Sequence, residues 1–212
     1  MTLRKRWPIT AVLAACLMLG MARDLRADEF AVLMQEPGMQ GQFTQLITSA
    51  DGDELGASEG HFALLRPHYF KWEIDSPGSQ LIVTDGVYLW QYDRDLEVVV
   101  RRTVTDAGLS PLQLLALDVN ALREHYEVLV LDNGLRLTPR ASSAPFQQLD
   151  IVIEQGMPTR LDVIDNLDQH LAITLNIDSA AMPLPADFSF TPPDNVDLDI
   201  LEDASQARAD LD

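Results

Sequence analysis

The chain is nearly free of cysteine, with one in 212 residues, Cys16, close to the N-terminus. Disulfides and thiolate metal sites are therefore excluded from everything that follows it. Histidine is sparse as well, and His61, His68, His125 and His170 contain no i, i+4 pair of the kind that grips zinc from a helix. No G-x-S-x-G elbow, Walker loop or G-x-G-x-x-G occurs, so the usual signatures of a serine hydrolase, a nucleotide site and a dinucleotide site are missing. The close acids Asp93 and Asp95 flank a turn, where aspartate is favoured by hydrogen bonds to its own backbone. No catalytic residue, metal ligand or cofactor is assigned, and no enzymatic activity is expected. Positive charge is also scarce, with 15 Lys and Arg against 33 Asp and Glu and a formal net charge of -18. So acidic a chain does not seek nucleic acid or an anionic membrane unaided, but it suits basic patches on partner proteins.

A hydrophobic run long enough to anchor the chain is missing too. Ile9 to Met21 is apolar but shorter than the roughly 20 residues a spanning helix needs. Arg4, Lys5 and Arg6 precede it and the small residues Gly20 and Ala22 end it, the pattern of a secretory signal peptide over residues 1–22. Cleavage after Ala22 is preferred, and a cut as late as Ala27 stays open. Leu13-Ala14-Ala15-Cys16 fits the short motif of a bacterial lipoprotein signal, but Leu17 to Met21 prolong the apolar run that such a cysteine should end. Cys16 is read as one more apolar residue of the leader.

What remains is 47% hydrophobic, enough to bury a real core, and no domain boundary interrupts it. Turn dipeptides recur at short intervals: Asp51-Gly52, Pro77-Gly78, Asp85-Gly86, Asn133-Gly134 and Gln155-Gly156. Between them lie Phe43 to Ser49, a run reaching Leu65, Phe70 to Ile74, Leu81 to Thr84, Val87 to Tyr92 and Leu96 to Arg102. After an interruption come Tyr126 to Leu131, Leu135 to Thr138, Phe146 to Glu154, Arg160 to Ile164 and Leu171 to Ile177. Ten or eleven antiparallel strands are expected, and so many in one sheet tend to curl into an incomplete barrel. Asp28 can cap a short helix through Met34. The interruption itself begins with Ser110-Pro111, an N-cap and first-turn proline, and predicts a leucine-rich helix of two or three turns carrying Leu112, Leu114 and Leu115, then a second helix near Asn120 to His125. Helices so short must lie on something. The tail from Asp197 to Asp212 is acidic and reads as flexible.

Arg66 to Trp72 opens a strand whose even positions Phe70, Trp72 and Ile74 are large and apolar while Lys71 and Glu73 are wet. Trp90 and Tyr92, with Leu81 and Val83 near them, extend the apolar content of neighbouring strands. Covered by the leucine helix, these residues form either a packed core or an apolar cavity, and periodicity leaves both open.

Phe43-Thr44-Gln45, Gly60, Arg66-Pro67 with Phe70 and Trp72, Asp85-Gly86 with Leu89-Trp90 and Tyr92, Ser110-Pro111 with Leu114-Leu115-Ala116, Leu137 to Arg140 and Phe188 to Pro193 follow one another in an order that resembles the periplasmic outer-membrane lipoprotein carrier family, LolA. The resemblance spans residues 30 to 196. It implies a carrier domain over 23–196, mainly β, built as an open antiparallel barrel of about ten or eleven strands with a helical lid. It further implies a monomeric periplasmic chaperone that takes the acyl chains of lipoproteins from the inner-membrane lipoprotein-releasing ABC transporter and delivers them to the outer-membrane lipoprotein receptor. On the same grounds Arg66 would latch the lid, Phe70, Trp72, Leu81, Val83, Trp90 and Tyr92 would line the lipid cavity, and Leu112, Leu114 and Leu115 would belong to the lid. Rival expectations are a membrane-anchored receptor of the same fold, which Cys16 keeps open, a lipid hydrolase, and a carrier of another lipid.

Overall fold

The turn dipeptides divide the chain into strands where the alternation requires it. Gly52 and Gly86 sit at left-handed φ values of 90° and 91°, which residues with a Cβ rarely adopt. Asp85 completes its own turn, its Oδ1 accepting from the backbone N–H of Val87 at 2.9 Å and of Tyr88 at 3.0 Å. Asp93 does the same for Asp95 and Leu96 at 3.1 and 3.0 Å, and Asp95 Oδ2 accepts from the Ser79 N–H at 2.9 Å. Both carboxylates of the acid pair thus serve turns.

The computed structural model describes residues 36–104, 111, 113–117, 119–180 and 182–201. The signal peptide at 1–22 with its cut after Ala22 or Ala27, Cys16, the helix expected from Asp28 to Met34, Ser110, Leu112 and the tail beyond 201 lie outside the described residues. The strands are β1 (Gly38–Thr48), β2 (Glu54–Leu65), β3 (Tyr69–Ser76), β4 (Gln80–Thr84), β5 (Tyr88–Asp93), β6 (Val98–Thr103), β7 (Tyr126–Leu131), β8 (Gly134–Pro139), β9 (Phe146–Glu154), β10 (Met157–Asp165), β11 (His170–Ile177) and β12 (Asp197–Leu201). They form one 12-stranded sheet in the order β12-β6-β5-β4-β3-β2-β1-β11-β10-β9-β8-β7. The end strands β12 and β7 are not paired with each other, so the sheet is open.

The twelfth strand corrects the reading of the tail. Asp197–Leu201 is not irregular but pairs in parallel with β6, Leu198 beside Val99 and Ile200 beside Arg101. Its acidic composition hides a period of two, Asp-Leu-Asp-Ile, which is enough to add a strand to an otherwise unpaired edge. Every other pairing is antiparallel.

A helical insert between β6 and β7 crosses one face of the sheet, here called inner. The predicted leucine-rich helix of two or three turns is instead a single 3-10 turn, Gln113–Ala116, followed by α1 (Val119–His125). All four residues of that turn are buried, leaving it no exposed polar side. A segment apolar all round is inserted into a core, not laid over one, and a 3-10 turn is the short form that suits this. On the opposite, outer face the chain after β11 returns as a strap. Its 3-10 turn Pro185–Phe188 packs on β3, and its end becomes β12 beside β6.

Gly60 marks the tightest point of the sheet. A Cβ there would lie 1.9 Å from the Glu73 carbonyl oxygen, and the β2–β3 register shifts between Glu59 and Gly60. Gly56 on the same strand has nothing within 4 Å of such a Cβ. Gly60→Ala is therefore expected to cost about 2–3 kcal/mol, whereas Gly56→Ala should be neutral or slightly stabilising. Thermal unfolding followed by circular dichroism checks this, and an equal loss in both variants would contradict it.

Candidate functional site

The inner face carries an aromatic cluster built across three strands. Register pairs Phe43 with Gly60, Phe62 with Trp72 and Leu64 with Phe70. Because Gly60 has no side chain, the ring of Phe43 on β1 reaches over β2 to stack on Trp72 of β3, with centroids 3.5 Å apart. Phe62 and Phe70 flank the indole at 6.2 and 6.3 Å. All four side chains are buried, as are Leu114, Leu115 and Leu122 of the helical insert, which join the same cluster. The insert thus closes the inner face by filling it. Beside Phe70 a void of about 20 Å³ remains, lined by Pro67, His68, Thr84, Val104, Gln113, Ala116 and Leu117, room for about one water molecule.

The expected lipid-facing set does not occupy one surface. Phe70 and Trp72 point inward, but β3 pairs with β4 so that Lys71 meets Val83 and Glu73 meets Leu81. Leu81, Val83, Trp90 and Tyr92 consequently all lie on the outer face. There Phe188, buried to 1% exposure, and Phe190 of the strap cover them. Phe190 meets Trp90 at 5.5 Å and Tyr92 at 6.0 Å, and Phe188 meets Tyr69 at 5.3 Å. The reason is parity: one residue of register moves a whole strand to the other face, and the length of the turn around Pro77-Gly78 sets it. The partners missed from sequence are Phe43 and Phe62 inside and Phe188 and Phe190 outside. The alternation Met39, Gly41, Phe43 was the available signal for the first; nothing local announces the second.

Arg66 continues the inner alternation one step past the end of β2. Its backbone N–H donates to the Pro37 carbonyl at 2.7 Å, and its Nη1 donates to the Glu36 carbonyl. Among the described residues its side chain therefore fastens the segment entering β1 and not Gln113–Leu117, where a lid latch would bond. Nε and Nη2 are buried and have no hydrogen-bond partner. Burial holds the guanidinium's pKa below its ordinary value, and the attraction of Glu36 offsets this in part.

The outer face is more polar toward β1 and β11. A groove of about 830 Å³ runs there, lined by Gln40, Gln42, His61, Lys71, Glu73, Asn176 and Asp187 among others. His61 Nδ1 lies 2.6 Å from Asp75 Oδ2, both well exposed. Among the described residues no group of three or more His, Cys, Asp or Glu is placed to hold a metal. Glu73 receives Arg94 Nη2 at 2.6 Å and has Lys71 at 3.5 Å. Burial pushes its carboxyl pKa up, but the Arg94 hydrogen bond with the attraction of Lys71 and Arg94 outweighs that and leaves it below the usual value.

An unclosed β-sheet with one apolar face filled by a short helical insert, and the other crossed by a C-terminal strap, defines the class of open single-sheet proteins with a covered apolar interior. The profile of the family described as "Outer membrane lipoprotein carrier protein LolA" matches residues 35–191, and the chain belongs to that family. It is 35% identical over 195 residues to the outer-membrane lipoprotein carrier protein of Bordetella pertussis, covering 89% of this chain and 91% of that one. It is 32% identical over 196 residues to the protein of the same name from Alkalilimnicola ehrlichii, covering 88% and 92%. Among solved structures, an uncharacterized conserved protein from Thermus thermophilus superposes with a TM-score of 0.50 at 13% identity, covering 85% of this chain and 99% of that one, a likeness of fold.

The depressed Glu73 carboxyl adds stability that is present above the ordinary glutamate pKa and fades as pH falls through its lower folded value. Arg94→Gln removes its first hydrogen-bond donor. In urea titrations the variant should be less stable than the parent at neutral pH, with the gap closing below about pH 4 as Glu73 protonates. A gap that is constant with pH would show that the pair does not set this carboxyl.

Proposed function

We propose that the chain is a periplasmic lipoprotein chaperone which shelters the acyl chains of its cargo on the inner face now filled by Phe43, Phe62, Phe70, Trp72, Leu114 and Leu115. The observation that carries this reading is an apolar interior shared between a rigid sheet and an insert of one 3-10 turn and one seven-residue helix, set in a chain whose relatives bear the carrier name. Helical pieces of that length have no stability of their own and hold position only through the contacts they make. An acyl chain gains about 0.8 kcal/mol for each CH₂ it buries, so it can replace those contacts. The result is a two-state element, filled by the protein's own leucines when empty and by lipid when loaded.

In this reading the insert is the lid. Arg66, which ties Glu36 and Pro37 to the same rim of the sheet, biases the protein toward the closed form. Cargo arrives from the inner-membrane lipoprotein-releasing transporter and leaves to the outer-membrane receptor. The acidic surface suits basic docking patches on both.

Purification of the protein from the periplasm should bring acylated lipoproteins with it, identified by mass spectrometry of the bound lipid anchor. Folded protein that carries none would sink the reading, and a mature chain beginning at acylated Cys16 would favour the anchored receptor. Arg66→Leu should shift the balance toward the open form, and transfer of bound lipoprotein to acceptor membranes should slow by about tenfold, the effect of roughly 1.4 kcal/mol. Unchanged transfer would remove the latch role.

A further inference from the structure

Two donors on Arg66 have no use in the closed protein. Nε and Nη2 are both buried without an acceptor, although a buried donor left unpaired costs about 1–3 kcal/mol. Guanidinium cannot escape this by losing its proton at any physiological pH. Unpaired buried donors in a native fold call for a reason, and an acceptor that arrives with a ligand is one.

The surroundings fix what that acceptor is. Arg66 stands one alternation beyond Leu64, whose register partners are Met39 on β1 and Phe70 on β3, and these three are 0–3% exposed. A ligand reaching the two donors therefore has an apolar body along this wall and an acceptor where the body ends. Glu36 lies close enough to act on the guanidinium by charge. Its carboxylate disfavours a second anion at the same spot, so a free carboxylate or phosphate is a poorer fit than a neutral carbonyl oxygen. Such oxygens occur where an acyl chain joins glycerol or an amine.

We infer that Nε and Nη2 of Arg66 accept the ester and amide carbonyls of the cargo's lipid anchor as hydrogen-bond partners, so that the carrier reads the linkage of the chains as well as their hydrophobicity. This rests on the lipid-carrier reading above. Arg66 is then a specificity residue in addition to a closing one, with Nη1 serving the empty protein and the other two nitrogens serving the loaded one.

The test compares two synthetic lipopeptides with the same mature protein. One carries a glyceryl-cysteine with two ester-linked palmitoyl chains, the other the same peptide with two ether-linked hexadecyl chains and no carbonyl. Binding is followed by intrinsic tryptophan fluorescence. The wild-type protein should favour the ester by about tenfold, as a pair of charge-assisted hydrogen bonds would give. In Arg66→Met, or Arg66→Leu should the first not fold, that ratio should fall to near one. A ratio is the right readout, because loosening the closed form changes the affinity for both lipids together. Equal wild-type binding of the two lipids would overturn the inference while leaving lipid carriage intact. A tenfold ratio that survives in the variant would overturn it as well, by assigning the carbonyls to another group. Failure of the wild-type protein to bind either lipid would overturn the carrier reading itself.

Discussion

Neighbouring residues of a strand point to opposite faces, and in β3, β4 and β5 both sets are apolar. Phe70, Trp72 and Leu89 face inward, while Leu81, Val83, Trp90 and Tyr92 face outward. A single sheet with two apolar faces needs two covers, and the rest of the chain is disposed to supply them. The insert between β6 and β7 covers the inner face, and the strap that ends in β12 covers the outer. The two are fastened differently. Phe188 and Phe190 are followed by a strand hydrogen-bonded to β6, so the outer cover is tied into the backbone ladder. The inner cover has no ladder bond; it is held by Leu114, Leu115, Leu117 and Leu122 against the sheet. A cover held by apolar burial alone is the one that an apolar ligand can displace.

The strands themselves were legible in the sequence. Tyr126–Leu131 and Phe146–Glu154 begin and end where alternation and turn residues placed them, because those signals act within a few residues. The grouping of side chains into a site was legible only within a strand. Phe70 and Trp72 share a face as their spacing requires, but placing Leu81, Val83, Trp90 and Tyr92 beside them assumed a register that the turn at Pro77-Gly78 does not give. Parity between strands is decided by how many residues the loop consumes and by what each face has to bury, neither of which a local pattern states. The same limit hid β12, whose partner lies nearly a hundred residues away on β6, Asp197 against Val98. Gly60 is the converse case. A lone glycine in a strand signals close approach, and here that approach is what lets Phe43 meet Trp72.

A filled interior might be taken to count against a carrier, but the energetics point the other way. Burying a leucine stabilises by about 1.5–3 kcal/mol, and an acyl CH₂ by about 0.8 kcal/mol. Leu114 and Leu115 therefore hold their places with an energy comparable to that of a few methylenes each. A chain entering the inner face gains its own burial and displaces theirs, so the net affinity is a difference between two similar quantities. An empty, preformed cavity would keep the full gain and hold its cargo too tightly to pass it on. Polar groups at the rim then weigh more than their number suggests, since a bond of about 1 kcal/mol is small against the whole burial but large against that difference. Arg66 stands at this rim, with one nitrogen engaged by the Glu36 carbonyl and two others unpaired, where a small shift in bonding can move the balance between closed and loaded forms.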